Sequence, residues 1–429
     1  NDQVQSIKNT FEPLGISVEV LNGETDLSSR EDLFARMRNN ELDIVLTTPE
    51  FFSLHADQFA KAQNISFVVF DEAHHVGMNA SEGRLAYAQM PQVLKMLGSP
   101  QILATTATAT TKSAQNICEL LSIEAEHVYK DKTARTNLEL KDLRGAKDRE
   151  CALLSLVSDG TKTVVYVNSR EQAQALTRML RHRIPELGHK IAFYHAGLTP
   201  QIRKNVERAF RRGDVCCIIA TSAFGEGVNI SDIRQVILYH LPFGRVAFNQ
   251  MSGRAGRGRD GKSSVIQMLF DAHDMRVNER ILSSHAPQRE ALVAVYRALT
   301  ALQPKLGAQT ADSALTDEDI AQMALEIDPR SKADEQTVRV ALDVFAELGF
   351  ISIEGFDQTR TISVNSQASH MDLLESARYA EGLKAHAEFE SFAQWVLSAS
   401  TDELADAITK PIVPEIGPTF DGRRESSNE

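Results

Sequence analysis

Two adjacent carboxylates, Asp71 and Glu72, follow the short apolar run Phe67-Val68-Val69-Phe70. Such a run reads as a buried strand of a parallel sheet. Both acids then leave the carboxyl end of a strand, where open α/β sheets keep their ligands. Asp71 is suited there to hold Mg²⁺ through water, because that ion takes one or two carboxylates together with substrate phosphates. Glu72, a second ligand to the same ion, is suited to orient or deprotonate the water that attacks a γ-phosphate. An acidic turn after a core strand is the plainer alternative, and these few residues do not separate the two. A second stretch, Ala220-Thr221-Ser222-Ala223-Phe224-Gly225-Glu226-Gly227-Val228-Asn229-Ile230, follows another strand-like run, and its glycines let backbone approach a phosphate or sugar. A third, Gln250-Met251-Ser252-Gly253-Arg254-Ala255-Gly256-Arg257-Gly258, sets two arginines three apart. On a helix they share a face, and guanidinium forks suit phosphate oxygens. The other reading of that stretch is a solvated basic loop, which its strand-to-Gln-to-Arg context disfavours.

The elements that must position these residues alternate along the chain. In residues 1–150, strand-like runs at 18–21, 43–46, 68–70 and 102–105 are separated by helical segments near 2–12, 29–39, 84–97 and 112–122. Residues 161–271 repeat the theme, with strands at 163–167, 191–194, 215–220, 236–241 and 264–270 and helices at 170–181 and 200–212. This alternation predicts an α/β fold of two doubly wound, parallel-sheet lobes with helices on both faces. The polar, charged stretch 131–150 reads as the hinge between them.

Composition sets the outer bounds. The 429 residues, 42% hydrophobic and 24% charged, suit an ordinary globular chain of two to four domains. No apolar run reaches membrane-spanning length and no basic-then-apolar leader is present. The four cysteines (Cys118, Cys151, Cys216, Cys217) lack paired ligand spacing and read as buried free thiols in a reducing cytoplasm. The net charge of −12 is unevenly held: residues 1–284 carry 34 Lys and Arg against 33 Asp and Glu, and 285–429 carry 12 against 25. The acidity therefore belongs to the tail and does not argue against phosphate binding by the first two-thirds.

Beyond residue 285, helices are expected at 286–302, 317–325 and 335–348. In the last, Val338, Leu342, Phe345 and Leu348 share one face and Gly349 ends it. Two alternating strands at 350–354 and 360–364 flank a turn containing Gly355. Three helices and a hairpin spell a winged helix, which binds DNA or, given its acidity here, serves as a protein or interdomain module. The expected division is lobe 1 at 1–135, lobe 2 at 136–284, a winged-helix-like domain at 285–367, a helical region at 368–410 and a disordered tail at 411–429.

Taken together these motifs resemble those of superfamily 2 DExH-box helicases, and among them the RecQ-type DNA helicases, over residues 1–271. Asp71-Glu72-Ala73-His74 resembles motif II, and Thr106-Ala107-Thr108 resembles motif III, which couples hydrolysis to lobe movement. Thr47-Thr48-Pro49-Glu50 resembles motif Ib, and Val165-Tyr166-Val167-Asn168-Ser169-Arg170 resembles motif IV, with His195-Ala196-Gly197-Leu198 as the short element after it. Residues 221–229 match motif V and 250–257 motif VI. The resemblance implies two RecA-like lobes closing on ATP and Mg²⁺, with Asp71, Glu72, His74, Gln250, Arg254 and Arg257 as catalytic residues. In that scheme Gln250 helps to place the attacking water, Arg254 contacts the phosphates and Arg257 is the arginine finger. Thr106, Thr108, Gly225, Gly227 and Asn229 would bind or couple the nucleotide. Thr47, Thr48, Pro49, Ser169, Arg170 and Thr221 would meet nucleic-acid phosphates, contacts that carry no base information.

The resemblance also marks departures. The chain opens at Asn1 in mid-pattern and reads as a fragment of something longer. The Gly-Lys-Ser/Thr phosphate loop expected ahead of it is absent, so this stretch alone is expected to be a poor ATPase. His75-Val76-Gly77-Met78-Asn79-Ala80-Ser81 replaces the aromatic loop that RecQ proteins carry after motif II, and no four-cysteine module follows lobe 2, so zinc is not expected. Residues 290–400 are similar to the C-terminal part of bacterial RecJ single-strand exonucleases through Val344-Phe345-Ala346-Glu347-Leu348-Gly349-Phe350-Ile351, Asp372-Leu373-Leu374-Glu375-Ser376, Tyr379 and Trp395. That likeness suggests an exonuclease–helicase fusion. The expected function is an ATP-dependent DNA helicase, 3′-to-5′ in direction, moving on single-stranded DNA in repair or recombination. The rivals are a non-catalytic DNA-binding part of a RecJ-type exonuclease and a DExH RNA helicase.

Overall fold

The computed structural model describes residues 2–76, 85–225, 230–258, 261–306, 316–354, 361–365 and 372–420. The chain divides into two compact units. One comprises Asn1–Tyr239, Arg245–Leu269 and Ser400–Glu429, and the other His240–Gly244 and Phe270–Ala399.

In the first unit, β1 (Val18–Val20) pairs in parallel with β2 (Ile44–Leu46), and β3 (Phe67–Phe70) with β4 (Gln101–Ala104). The four strands fall where the alternation placed them, but among the described residues they form two separate ladders and not one sheet. β3 also corrects the expectation of a fully buried strand. Phe70 is buried, whereas Phe67 and Val69 are 49% and 55% exposed, and Leu103 of β4 is 46% exposed. Strand side chains alternate between faces. One face of the β3–β4 ladder, with Val68, Phe70, Ile102 and Ala104, packs on the cluster that includes Phe51, Met90, Leu94 and Ile117. The opposite face keeps its apolar side chains uncovered.

The strands that follow are β5 (Lys130–Asp131), β6 (Leu138–Asp142), β7 (Thr163–Tyr166), β8 (Ile191–Tyr194), β9 (Cys217–Ala220), β10 (Gln235–Leu238) and β11 (Ser264–Met268). Six of them make one parallel sheet in the order β6-β11-β10-β7-β9-β8. Its central strands are β-branched runs buried on both faces: Val164, Val165, Ile218, Ile219, Val236 and Ile237 are fully inaccessible. From β7 the chain steps past β9 to β8, returns to β9, then crosses β7 to reach β10. The winding thus reverses at β7, the position where open α/β sheets gather ligands at their carboxyl ends. The edge strand β6 lies inside the stretch read as a hinge. Leu138, Leu140 and Asp142 are half-buried and Glu139 and Lys141 exposed, an alternation masked by its charge.

Helices around this sheet begin on hydroxyl caps. Ser169 accepts the Gln172 N–H at 3.1 Å to open Arg170–Arg183, whose Ala173, Leu176 and Leu180 are buried. Thr199 caps Pro200–Arg212, which ends at Gly213 with φ of +84°, the left-handed geometry that favours glycine.

Residues 411–420 correct the expectation of a disordered tail. After the helix Thr401–Thr409, which packs on β6 and on the helix Arg245–Ser252, the chain runs back to residues 109–131 of the same unit. Ala109 N–H donates to Ile412 O at 3.4 Å, and Glu415 N–H to Thr111 Oγ1 at 3.0 Å. The buried Lys130 Nζ donates to Pro414 O (3.1 Å) and Ile416 O (3.0 Å), and β14 (Thr419–Phe420) pairs in parallel with β5. The Pro- and Gly-containing composition has no order of its own; partners about 300 residues upstream supply it. The remaining tail, 421–429, lies outside the described residues.

The second unit contains the expected helices, Arg289–Leu306, Asp317–Ile327 and Glu335–Glu347, and an antiparallel hairpin of β12 (Ile351–Glu354) and β13 (Thr361–Val364). They share a core of Leu292, Val295, Leu299, Ile320, Val338, Leu342, Phe345, Ile351 and Ile362. The helices His273–His285 and Ala377–Ser398 belong to the same unit, so its limits differ from the expected breaks at 285 and 368. No helix among the described residues is long and apolar enough to cross a membrane.

Candidate functional site

β3 and β4 are neighbouring parallel strands, with Phe70 opposite Ala104, so Asp71-Glu72 and Thr105-Thr106 leave adjacent carboxyl ends. Cross-strand bonds continue past the ladder: Thr105 N–H donates to Phe70 O and Ala73 N–H to Thr105 O, both at 2.8 Å. Asp71 Oδ1 accepts from Glu72 N–H (2.9 Å) and Thr105 Oγ1 (3.2 Å). Glu72 has φ of +51°, a left-handed conformation that costs a non-glycine residue roughly 1–2 kcal/mol. Strain of this kind persists where surrounding contacts over-determine it, often at active sites.

His74, only 8% exposed, fastens this corner. Its Nδ1 lies 3.3 Å from Glu72 Oε2 and 3.1 Å from Thr106 Oγ1. Thr106 Oγ1 also donates to Thr108 O (3.1 Å) and accepts Thr108 N–H (3.2 Å). The Glu72 carboxyl is held below its ordinary range, first by the His74 hydrogen bond and then by the charges of His74, Arg254 and His75. It is therefore ionised at neutral pH and lies in the field of an arginine from the third stretch.

That stretch sits on the helix Arg245–Ser252 and the turn after it, the whole basic segment being only partly helical. Gln250 Nε2 is 3.4 Å from Thr108 Oγ1, which joins it to the segment beside motif II. Arg254 lies over Gly225, where a Cβ would meet its Nη2 at 3.4 Å. Arg257 Nε donates to Gly253 O at 3.0 Å. The Arg257 guanidinium is pushed down to about 10 by desolvation and by the neighbouring Arg254 and Arg135. Arg257 remains exposed as a whole residue, so these neighbours surround its head while its surface still meets solvent. Nearby, the buried Tyr166 hydroxyl donates to Phe224 O at 2.7 Å, and burial raises its pKa.

Asp71, Glu72, His74, Thr106, Thr108 and Gln250 are thus linked by contacts, while Arg254, beside Gly225, and Arg257 reach Glu72 through their charge. Gly227 and Asn229 lie outside the described residues. Of the residues expected to meet nucleic acid, Thr48 caps the helix Pro49–Leu54, accepting Phe51 N–H at 3.3 Å, with Pro49 as its first residue and Thr47 exposed before it. Ser169 and Arg170 open a helix beyond β7, and Thr221 follows the adjacent β9, its N–H donating to Tyr194 O at 3.2 Å. Thr48 accepts through its oxygen, which leaves its O–H as a donor for a phosphate, whereas the Ser169 side chain also hydrogen-bonds the Glu171 carboxylate.

Arg135 was not foreseen. It lies in the charged stretch read as a hinge, yet its Nη1 reaches Gly253 O at 3.2 Å. The available signal was a cation just before an alternating edge strand, too slight to single it out.

The donor set fits a Mg²⁺-bound polyphosphate. The Asp71 and Glu72 carboxylates end one ladder, and the guanidinium groups of Arg135, Arg254 and Arg257 lie within one another's field.

The family model for DEAD/DEAH box helicases matches residues 1–117, and that for the helicase conserved C-terminal domain matches residues 147–259. The chain is 29% identical to the ATP-dependent DNA helicase RecQ of Pasteurella multocida, over 64% of this chain and 43% of that protein. It is 31% identical to the probable ATP-dependent DNA helicase RecS of Bacillus subtilis, over 70% of this chain and 59% of that protein. It is 28% identical to the putative ATP-dependent RNA helicase R290 of Acanthamoeba polyphaga mimivirus, over 64% of this chain and 50% of that protein. The chain spans about half the length of the curated relatives it matches.

Proposed function

Because this chain is a superfamily 2 helicase, a DEAD/DEAH box domain followed by a helicase C-terminal domain with RecQ-like homologues, we propose that it is the motor of an ATP-dependent DNA helicase. One observation carries the reading: Gln250 meets Thr108, and Arg254 acts on Glu72, so residues of both domains share one site. A scaffold has no need of that convergence.

In this reading Asp71 and Glu72 would hold Mg²⁺, which would supply positive charge to offset that of the transferred phosphoryl group. Glu72, kept ionised by His74, takes or orients the proton of the attacking water, and Gln250 helps to place that water. Arg254 and Arg257 stabilise charge developing on the γ-phosphoryl oxygens from the opposite side. Thr106 and Thr108 tie His74 to Gln250, so a change at the γ-phosphate is felt in both domains. Hydrolysis then alters the spacing between Thr47-Thr48-Pro49 on the first domain and Ser169, Arg170 and Thr221 on the second. Alternate gripping of phosphates moves the strand. We read the direction as 3′-to-5′, the track as single-stranded DNA and the setting as repair or recombination.

The mimivirus relative is named as an RNA helicase, so DNA against RNA is the deciding comparison. In the protein as the cell makes it, single-stranded DNA should stimulate ATP turnover more than RNA of equal length, and 3′-tailed duplexes should unwind before 5′-tailed ones. Arg257→Ala should cripple turnover while leaving DNA affinity nearly intact. Stimulation by RNA alone would move the assignment to the RNA class. Loss of DNA binding in the variant would make Arg257 a nucleic-acid contact.

A further inference from the structure

Motif VI ends in a short loop, Gly253-Arg254-Ala255-Gly256-Arg257, and a segment more than a hundred residues earlier grips that loop at both glycines. At the first, Gly253 O accepts two guanidinium donors, Arg257 Nε at 3.0 Å and Arg135 Nη1 at 3.2 Å. At the second, Asn137 Nδ2 donates to Gly256 O at 2.7 Å. A side chain on either glycine would push against the gripping segment. A Cβ on Gly253 would lie 2.8 Å from Arg135 Nη1, and one on Gly256, where φ is +71°, would lie 2.6 Å from Leu138 Cδ2. The gripping segment is itself held from behind, since Arg135 N–H donates to Thr409 O (2.8 Å) and Ser264 N–H to Asn137 O (2.9 Å).

We infer that Arg135 is a positioning residue for Arg257, acting through the shared carbonyl of Gly253; the inference rests on the ATPase reading above. A carbonyl oxygen has two lone pairs, and here each takes one guanidinium. By occupying one of them from outside the loop, Arg135 fixes where the carbonyl points. Arg257 spends Nε–H on that carbonyl, and its orientation follows. Its two Nη groups are then left in the planar fork that pairs with phosphate oxygens. No carboxylate pairs with Arg135 among the described residues, and Arg254 and desolvation both disfavour its charge. A residue kept only for folding would gain nothing from placing a third cation beside two others.

The test compares Arg135→Ala, Arg135→Lys, Arg257→Ala and the Arg135/Arg257 double alanine variant, all in the protein as the cell makes it. Arg135→Ala should lower kcat by about 10- to 100-fold, the scale of a misplaced catalytic group, with the KM for ATP within about threefold of wild type. The double variant should be no slower than Arg257→Ala, because Arg135 acts only through Arg257, and Arg135→Lys should recover part of the loss. Losses that multiply in the double variant, or a kcat for Arg135→Ala within twofold of wild type, would overturn the inference. A second readout does not need turnover: the Arg257 Nε–H resonance should exchange faster with solvent in Arg135→Ala than in wild type, in samples of equal thermal midpoint. An unchanged exchange rate rejects the positioning role even if the ATPase reading stands. Faster exchange in a protein without ATPase would uphold the positioning and reject that reading alone.

Discussion

At the scale of single residues, the site turns on Glu72, a carboxylate in a left-handed backbone position with a buried imidazole against it. Glu72→Gln keeps the shape and removes the proposed base. Nucleotide affinity should stay within a few-fold of wild type while turnover falls by about 10²–10⁴, the usual range for a general base. Near-normal steady-state turnover would take Glu72 out of the mechanism. His74 supplies a second, pH-based test. Its hydrogen bond is the first cause of the lowered Glu72 pKa, and burial alone acts in the opposite direction. Because the folded-state value lies below the ordinary 4.5, the carboxylate's contribution is complete above that pH and is lost as pH falls through the lowered value. In His74→Ala the acid limb of the rate profile should therefore move upward, to the ordinary glutamate value or beyond. An acid limb that stays in place would mean that another group titrates there.

At the scale of elements, the two domains of the first unit differ in how well their strands are covered. β9 and β10 are buried along their whole length, whereas β2 is half-buried and β3 has a single buried residue, Phe70. Opening free energies follow buried contacts, so amides in Cys217–Ala220 and Gln235–Leu238 should exchange slowly and those in Ile44–Leu46 and Phe67–Phe70 faster. Equal protection in both would contradict this account. The same contrast explains what the sequence could reveal. Apolar β-branched runs between helical stretches announced β7, β9 and β10, since burial on both faces leaves no other pattern. The run Phe67-Val68-Val69-Phe70 announced a strand just as clearly, yet composition is silent on whether a neighbour covers its second face. β6 and the segment 411–420 were hidden for a related reason. Their order comes from distant partners, Ser264 through Met268 for one and Ala109, Thr111 and Lys130 for the other. The carboxylates, the glycine stretch and the arginines were legible because their chemistry restricts residue type. Arg135 was not, because it acts through a carbonyl that any residue would have.

At the scale of the whole molecule, the last residues of the first unit complete it. Thr401 Oγ1 donates to Asp142 (3.2 Å), Asn249 Nδ2 to Ala407 O (2.9 Å) and Arg135 N–H to Thr409 O (2.8 Å) before the chain reaches Ala109, Thr111 and Lys130. A chain ended at Ala399 should lose amide protection at Ala109 and Arg135 and melt at a lower temperature, with β7 and β9 still protected. Unchanged exchange at those two amides would show the returning segment to be a passive passenger. The feature also sets a clock on synthesis. Thr111 and its partner Glu415 are 304 positions apart, and at about 5–20 residues per second a ribosome needs roughly 15–60 s to make what lies between them. The first unit is thus begun early and closed late, with the second unit already made in the interval. For that time the nascent chain carries Ala109, Thr111 and Lys130 without the segment that later bonds to them, a window in which a chaperone could act and a pause in translation would be costly.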